Sequence, residues 1–292
     1  MLTRLGFLFL YLIHFLPIKV IWAMAEVFAF IAYRLAHRRR RIGAINLAKC
    51  FPEKTEQERT HILKRHFFHM MAMILEFGVA WYSTDKRLYN ITEYKNKHYY
   101  DDAAKTGKKI IILYPHFCAM ETVIAKGNQD IGLISIYSQQ KNKVMDERVL
   151  KGRHRYNNVF LLKRTDSLLT IIRAIKKKDM AFLYLPDQDL GEKDSVFVPF
   201  FGIPTATVDG LSRIAKLTNA IVVPAVAERL KNGRFRMNFY PPFDNFPTDD
   251  TVADTARMNA FIEERIREIP EQYYWLHKRF KTRPNNEPSF YD

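Results

Sequence analysis

The chain opens with a nearly unbroken apolar run from Leu5 to Tyr33, interrupted mainly by His14, Pro17, Lys19 and Glu26. That length is enough for a helix to cross a hydrocarbon core, which needs about 20 residues. Arg34, His37 and Arg38 to Arg41 follow directly. A cleaved secretory leader carries its charge before the apolar stretch, so charge placed after it predicts a retained anchor. The arginines then hold everything downstream on the cytoplasmic side. Lys19 and Glu26 are costly at bilayer depth, and their spacing of seven puts them on one helical face. A spanning helix is expected here, with a helix lying in the interface and a soluble core helix as the alternatives.

Beyond the basic cluster, Thr55 to Tyr82 has the period of a long helix, with Ile62, Phe67, Met70, Met71, Ile74, Leu75 and Phe77 forming its apolar stripe. The pattern then alternates. Strand-like runs fall at Lys109–Tyr114, Leu133–Tyr137, Val159–Leu162, Met180–Leu185, Ile221–Ala227 and Phe235–Tyr240. Helical runs fall between them at Glu121–Gln129, Lys143–Tyr156, Ser167–Lys177 and Val208–Leu217, and then at Val252–Ile269. This alternation predicts an α/β fold: a mixed, largely parallel sheet flanked by helices. Residues 1–41 are expected to form the membrane anchor with its basic flank, and residues 42–292 a catalytic domain.

Composition adds a constraint on partners. Among 292 residues, Lys and Arg total 46 against 31 Asp and Glu, a net charge of +15. Such an excess suits anionic partners: phospholipid headgroups, phosphorylated substrates, an acidic carrier protein or nucleic acid. Only two cysteines occur, Cys50 and Cys118, too few for a disulfide framework or a Cys-rich zinc site.

The candidate chemistry begins at Tyr114-Pro115-His116, where a buried strand ends; Glu121 follows five residues after His116. The carboxyl edge of an open α/β sheet is where such folds place their sites. A histidine there can take a proton, and a carboxylate can fix its tautomer. Cys118 raises the alternative of a thiol nucleophile with His116 as its base. A second strand ends in Pro186-Asp187-Gln188-Asp189, whose acids could bind a metal or cap a tight turn that shapes the cleft; the turn is preferred. The apolar stretch around Phe197, Phe200 and Phe201 could line a slot for an alkyl chain or pack as a buried loop. Arg153, Arg155 and Arg164 lie in a basic segment whose guanidinium forks suit phosphates and oxyanions. His66 and His69 have ligand spacing on the long helix but no persuasive third ligand, so no metal is expected.

Taken together, these segments resemble the late lipid A acyltransferases of Gram-negative bacteria, the lauroyl/myristoyl transferases carrying an HX4(D/E) motif. The resemblance runs along nearly the whole chain. It is carried by His116 and Glu121, by Arg153-His154-Arg155, by the Asp187 turn, by Val196–Gly202, and by the stretch from Pro270 to Pro284. It implies transfer of an acyl chain from acyl carrier protein to a hydroxyacyl chain of a Kdo-linked lipid A precursor. His116 would be the general base and Glu121 would orient its ring. Arg153 would stabilise the oxyanion or position the glycolipid, and Asp187 and Asp189 would support the site. The resemblance implies no cofactor beyond the acyl carrier protein co-substrate. It places the catalytic domain on the cytoplasmic face of the inner membrane, beside anionic lipid. The nearest rival is a glycerophosphate or lysophosphatidate acyltransferase, against which the segment Trp275–Pro284 discriminates. A tethered binder of anionic polymer rests on charge alone, since no nucleic-acid motif is present.

Overall fold

The computed structural model describes residues 2–156 and 158–292. The amino-terminal third is helical: α1 (Leu2–Ile13), α2 (Ile18–Leu35), α3 (His37–Cys50), α4 (Glu56–Tyr82) and the short α5 (Asp85–Ile91). The α/β part then runs β1 (Thr92–Lys95), α6 (His98–Lys105), β2 (Ile110–Leu113), α7 (Met120–Asp130) and β3 (Leu133–Tyr137). It continues through α8 (Lys143–Arg153), β4 (Val159–Lys163), α9 (Leu168–Lys177) and β5 (Ala181–Tyr184). The remaining elements are β6 (Ser195–Phe200), β7 (Ile203–Val208), α10 (Gly210–Thr218), β8 (Ile221–Arg229), β9 (Phe235–Phe239) and α11 (Thr251–Glu268).

Seven strands form one sheet in the order β1-β9-β8-β2-β5-β3-β4, parallel throughout except between β8 and β9. The expected mixed, largely parallel sheet is therefore present. Its centre is β2, whose Ile110-Ile111-Ile112-Leu113 run is buried at every position. Such continuous apolarity belongs to a parallel strand covered on both faces. β5 lies directly beside β2, so the segments leaving their carboxyl ends emerge together at one edge.

α4 is the main helical support. Thr55 caps it in a capping box with Glu58, which satisfies two otherwise orphaned backbone donors. Its buried face holds Ile62, Phe67, Met70 and Leu75 of the predicted stripe, while Met71 and Phe77 are half-buried and Ile74 is exposed.

The amino-terminal run departs from the spanning expectation. Proline cannot continue a helix from the preceding turn, and the run breaks at Pro17 into α1 and α2. Arg87 donates to the carbonyls of His14 and Leu16 and holds the break against the body of the protein. α2 buries Ile18, Ile21, Ala25 and Ala29, and packs on α4 with Glu26 bonded to Arg65 at 2.6 Å. Among the described residues, no helix is long and apolar enough to cross a membrane. The outer faces of α1 and α2 nevertheless remain apolar and open, with Leu12, Phe30 and Leu35 all more than half exposed.

Candidate active site

The strand-to-helix passage after β2 builds the site. His116 lies between β2 and α7, with its ring lining a cavity of about 670 Å³. Its Nδ1–H donates to Asp187 Oδ1 at 2.7 Å, and its backbone N–H donates to Asp187 Oδ2 at 2.9 Å. Asp187 follows β5 and is buried. One carboxylate thus fixes both the ring and the main chain of the histidine, and Nε2 is the nitrogen left free. Burial raises the Asp187 pKa, but the charge and hydrogen bonds of His116 outweigh it and hold the carboxyl below its usual range.

Glu121 does something else. It sits in the first turn of α7 and accepts from Arg153 twice, Nε to Oε1 at 3.2 Å and Nη2 to Oε2 at 2.9 Å. Trp81 Nε1 adds a third donor at 3.1 Å. Burial works against this carboxylate, yet Arg153 and Trp81 hold its pKa below the ordinary value. The expected orientation of His116 by Glu121 is therefore corrected: Asp187 orients the ring, while Glu121 clamps Arg153. The reason is topological. β5 is adjacent to β2, so Asp187 meets His116 from a neighbouring strand, while Glu121 has turned onto the helix. Arg153, at the end of α8, lines the same cavity as His116 and does not use Nη1 in the clamp. Gly152 makes this approach possible, because a Cβ there would come within 2.6 Å of the Trp81 ring.

The cavity follows α7 from Met120 to Asn128 and has a largely hydrocarbon wall; it is called the tunnel below. Phe7 and Leu10 of α1, Ile74, Phe77 and Trp81 of α4, Met120 and Ile124 of α7, Leu161 and Leu183 from the sheet, and Leu185 just past β5 line it. Phe197, Phe200 and Phe201 do not. They belong to a separate β6–β7 hairpin turned by Phe201 and Gly202, both with left-handed φ (50° and 74°). Phe200 packs on Phe280 and Phe201 on Phe51, while Phe197 faces outward. The acyl slot proposed for that segment is thus corrected; its apolar character serves packing.

The remaining sequence candidates separate. Asp189 accepts from the Thr282 backbone and hydroxyl at 2.6 and 2.8 Å, so it anchors the carboxy-terminal segment. Arg155 pairs with Asp85 at 3.0 Å in a different, polar cleft. Arg164 is exposed beyond β4 and lines neither cavity. Cys118 is buried, and burial pushes its thiol up to about 12, which removes it as a nucleophile at neutral pH. His69 bonds to Arg229 Nη1 at 2.6 Å and His66 Nδ1 to the Glu271 carbonyl at 3.3 Å.

Two supports carried no clear signal in the sequence. Buried Arg229 pairs with Glu76 (Nε to Oε1, 2.8 Å) and also donates to the Cys118 carbonyl at 3.2 Å, just after the histidine. Trp22 of α2 shares the same Glu76 oxygen at 2.8 Å. The carboxy-terminal segment wraps the histidine loop as well: Tyr274 N–H donates to the His116 carbonyl at 3.0 Å, and Cys118 N–H to the Gln272 carbonyl at 2.8 Å. Asn46 ties that segment to α3 through the Trp275 and His277 carbonyls.

Comparison with known proteins agrees along the full length. The profile of the family described as bacterial lipid A biosynthesis acyltransferase matches residues 1–282. The chain is 36% identical to the lipid A biosynthesis lauroyltransferase of Escherichia coli K12, over 99% of this chain and 94% of that protein. It is 30% identical to the palmitoleoyltransferase of the same organism over 99% and 94%, and 30% identical to its myristoyltransferase over 88% and 79%. With a histidine–aspartate pair at the mouth of an apolar tunnel and this match across the whole chain, the protein belongs to the bacterial lipid A biosynthesis acyltransferase family.

Proposed function

We propose that the protein transfers an acyl chain from the thioester of acyl carrier protein to the hydroxyl of a hydroxyacyl chain on a Kdo-linked lipid A precursor. The observation that carries this reading is the His116–Asp187 pair opening onto the apolar tunnel. Nε2 of His116 accepts the proton of the acceptor hydroxyl as its oxygen attacks the thioester carbonyl. Asp187 keeps the proton on Nδ1 and stabilises the imidazolium that forms. When the tetrahedral intermediate collapses, the carbon–sulfur bond breaks and the imidazolium returns its proton to the departing thiolate. The products are a new ester and the free thiol of the carrier. Arg153, held by Glu121, supplies the positive charge for the oxyanion or for an acceptor phosphate. The fatty chain lies in the tunnel, where each buried methylene contributes about 0.8 kcal/mol.

The charge balance supports the choice of partners. A surface with a net +15 draws in an acidic carrier and a phosphorylated glycolipid, a step that salt should weaken. We place the enzyme on the cytoplasmic face of the inner membrane, lying on anionic lipid through the open apolar faces of α1 and α2. Phe30 is 61% exposed and Leu35 is 73% exposed, supporting an interfacial rather than a spanning attachment. The full-length family match favours a lipid A acceptor over glycerophosphate or lysophosphatidate.

The test is transfer by the purified protein in detergent. Mass spectrometry should show one added acyl group, esterified to a hydroxyacyl chain of the Kdo-linked precursor, and stoichiometric free carrier thiol. Acylation of lysophosphatidate, with the glycolipid left unmodified, would replace this reading by its rival.

A further inference from the structure

The far end of the tunnel holds a polar group that acyl transfer does not require. Met120, Ile124 and Asn128 recur every four residues on α7 and line the tunnel in sequence. Eight residues of helix carry this line about 12 Å from the end of α7 nearest His116. Val159, at the amino end of β4, lines the same tunnel. Asn128 is 4% exposed, and its Oδ1 has no hydrogen-bond partner among the described residues. Asn128 also lines the cleft behind the tunnel, which is walled by Asp85, Lys86, Gln129, Asp130, Arg155 and Tyr156. Beyond the amide, then, the lining changes from hydrocarbon to charge.

We propose that Asn128 is the specificity-determining stop that sets the longest acyl chain the tunnel accepts. A chain that ends short of the amide stays against the apolar lining of Met120 and Ile124. A longer chain must lay methylenes against the amide instead of hydrocarbon and then push them among the ionised side chains of the cleft, taking away the water that solvates those charges. Both are unfavourable, and stripping water from charged groups without replacing its hydrogen bonds rejects a ligand more strongly than a mere lack of room. The inference rests on the tunnel being the acyl site, and it adds the residue that defines its length.

The test uses the full chain and a series of acyl-acyl carrier proteins stepped by two methylenes. Asn128→Leu keeps the volume and removes the polar stop. The ratio of kcat/KM for the donor one step longer than the preferred chain to that for the preferred chain should rise about 10-fold or more. Asn128→Ser shortens the side chain yet keeps a polar atom, so it should give a smaller rise and carries the test where the leucine variant does not fold. An unchanged ratio, or a shift toward shorter chains, in an active variant overturns the proposal. Failure of the acyl-transfer reading looks different, because wild-type protein would then transfer no chain from any donor.

Discussion

Two buried carboxylates flank the histidine loop, and each is bonded to a basic side chain. Asp187 holds His116 through its ring and backbone, and Glu121 holds Arg153 through two nitrogens. The ingredients are alike and the consequences differ. A guanidinium does not give up its proton in a protein, so the Glu121–Arg153 pair is a fixed charge arrangement. An imidazole exchanges its proton near neutral pH, so the Asp187–His116 pair can take part in chemistry. The proximity of an acid to a base in the sequence does not assign the role; the titratable partner does.

Substitutions should separate the two pairs. His116→Ala removes the proposed general base and should lower turnover about 10²–10⁴-fold while the melting temperature holds. Full turnover in that variant would remove the base from the scheme. Glu121→Gln should act mainly on structure, costing about 1–3 kcal/mol by leaving Arg153 without its counter-charge. Pairing it with Arg153→Met should recover much of that stability without recovering activity, as denaturant melts and assays of the double variant would show.

Acidification gives a graded effect with a definite sign. Asp187 and Glu121 have carboxyls held below their usual range, so their stabilisation is present above about pH 4 and is lost as pH falls through their folded-state values. His66 and His277 titrate earlier. Burial pushes them to about 3 and about 4, so below about pH 6.5 the unfolded chain binds protons that the folded chain refuses. Stability should therefore start to fall near pH 6.5, by up to about 1.4 kcal/mol per pH unit for each histidine. Thermal melts of His66→Gln should show a shallower slope from that point. The smallest effect is expected at Phe197, outside the tunnel: Phe197→Ser should change stability by about 0.5 kcal/mol or less and leave acyl-chain preference alone.

The sequence made much of this fold legible, because period-2 and period-3.6 patterns report burial directly. The strand expected at Leu133–Tyr137 is β3, and the helix expected at Thr55–Tyr82 differs from α4 by one residue. Pairings between distant segments were not legible. Asp187 reaches His116 across 71 positions, only because β5 inserts beside β2, and strand order leaves no mark in a local pattern. The apolar stretch at Val196–Gly202 signalled burial without saying what buries it, and Gly202 alone hinted at the hairpin turn. The tunnel wall is spread over α1, α4, α7, α8 and three strands, with no more than a few residues from each. Length and apolarity alone predict a spanning anchor at the amino terminus, whereas Pro17 divides the run into two shorter helices.

The most direct measurement is the turnover of Asp187→Asn with acyl-acyl carrier protein and the Kdo-linked precursor, read with its pH profile and melting temperature. The aspartate–histidine account predicts a fall of about 100-fold or more in a folded protein, with Glu121→Gln retaining more activity at every pH. Wild-type turnover in Asp187→Asn, or a greater loss in a folded Glu121→Gln, would contradict it.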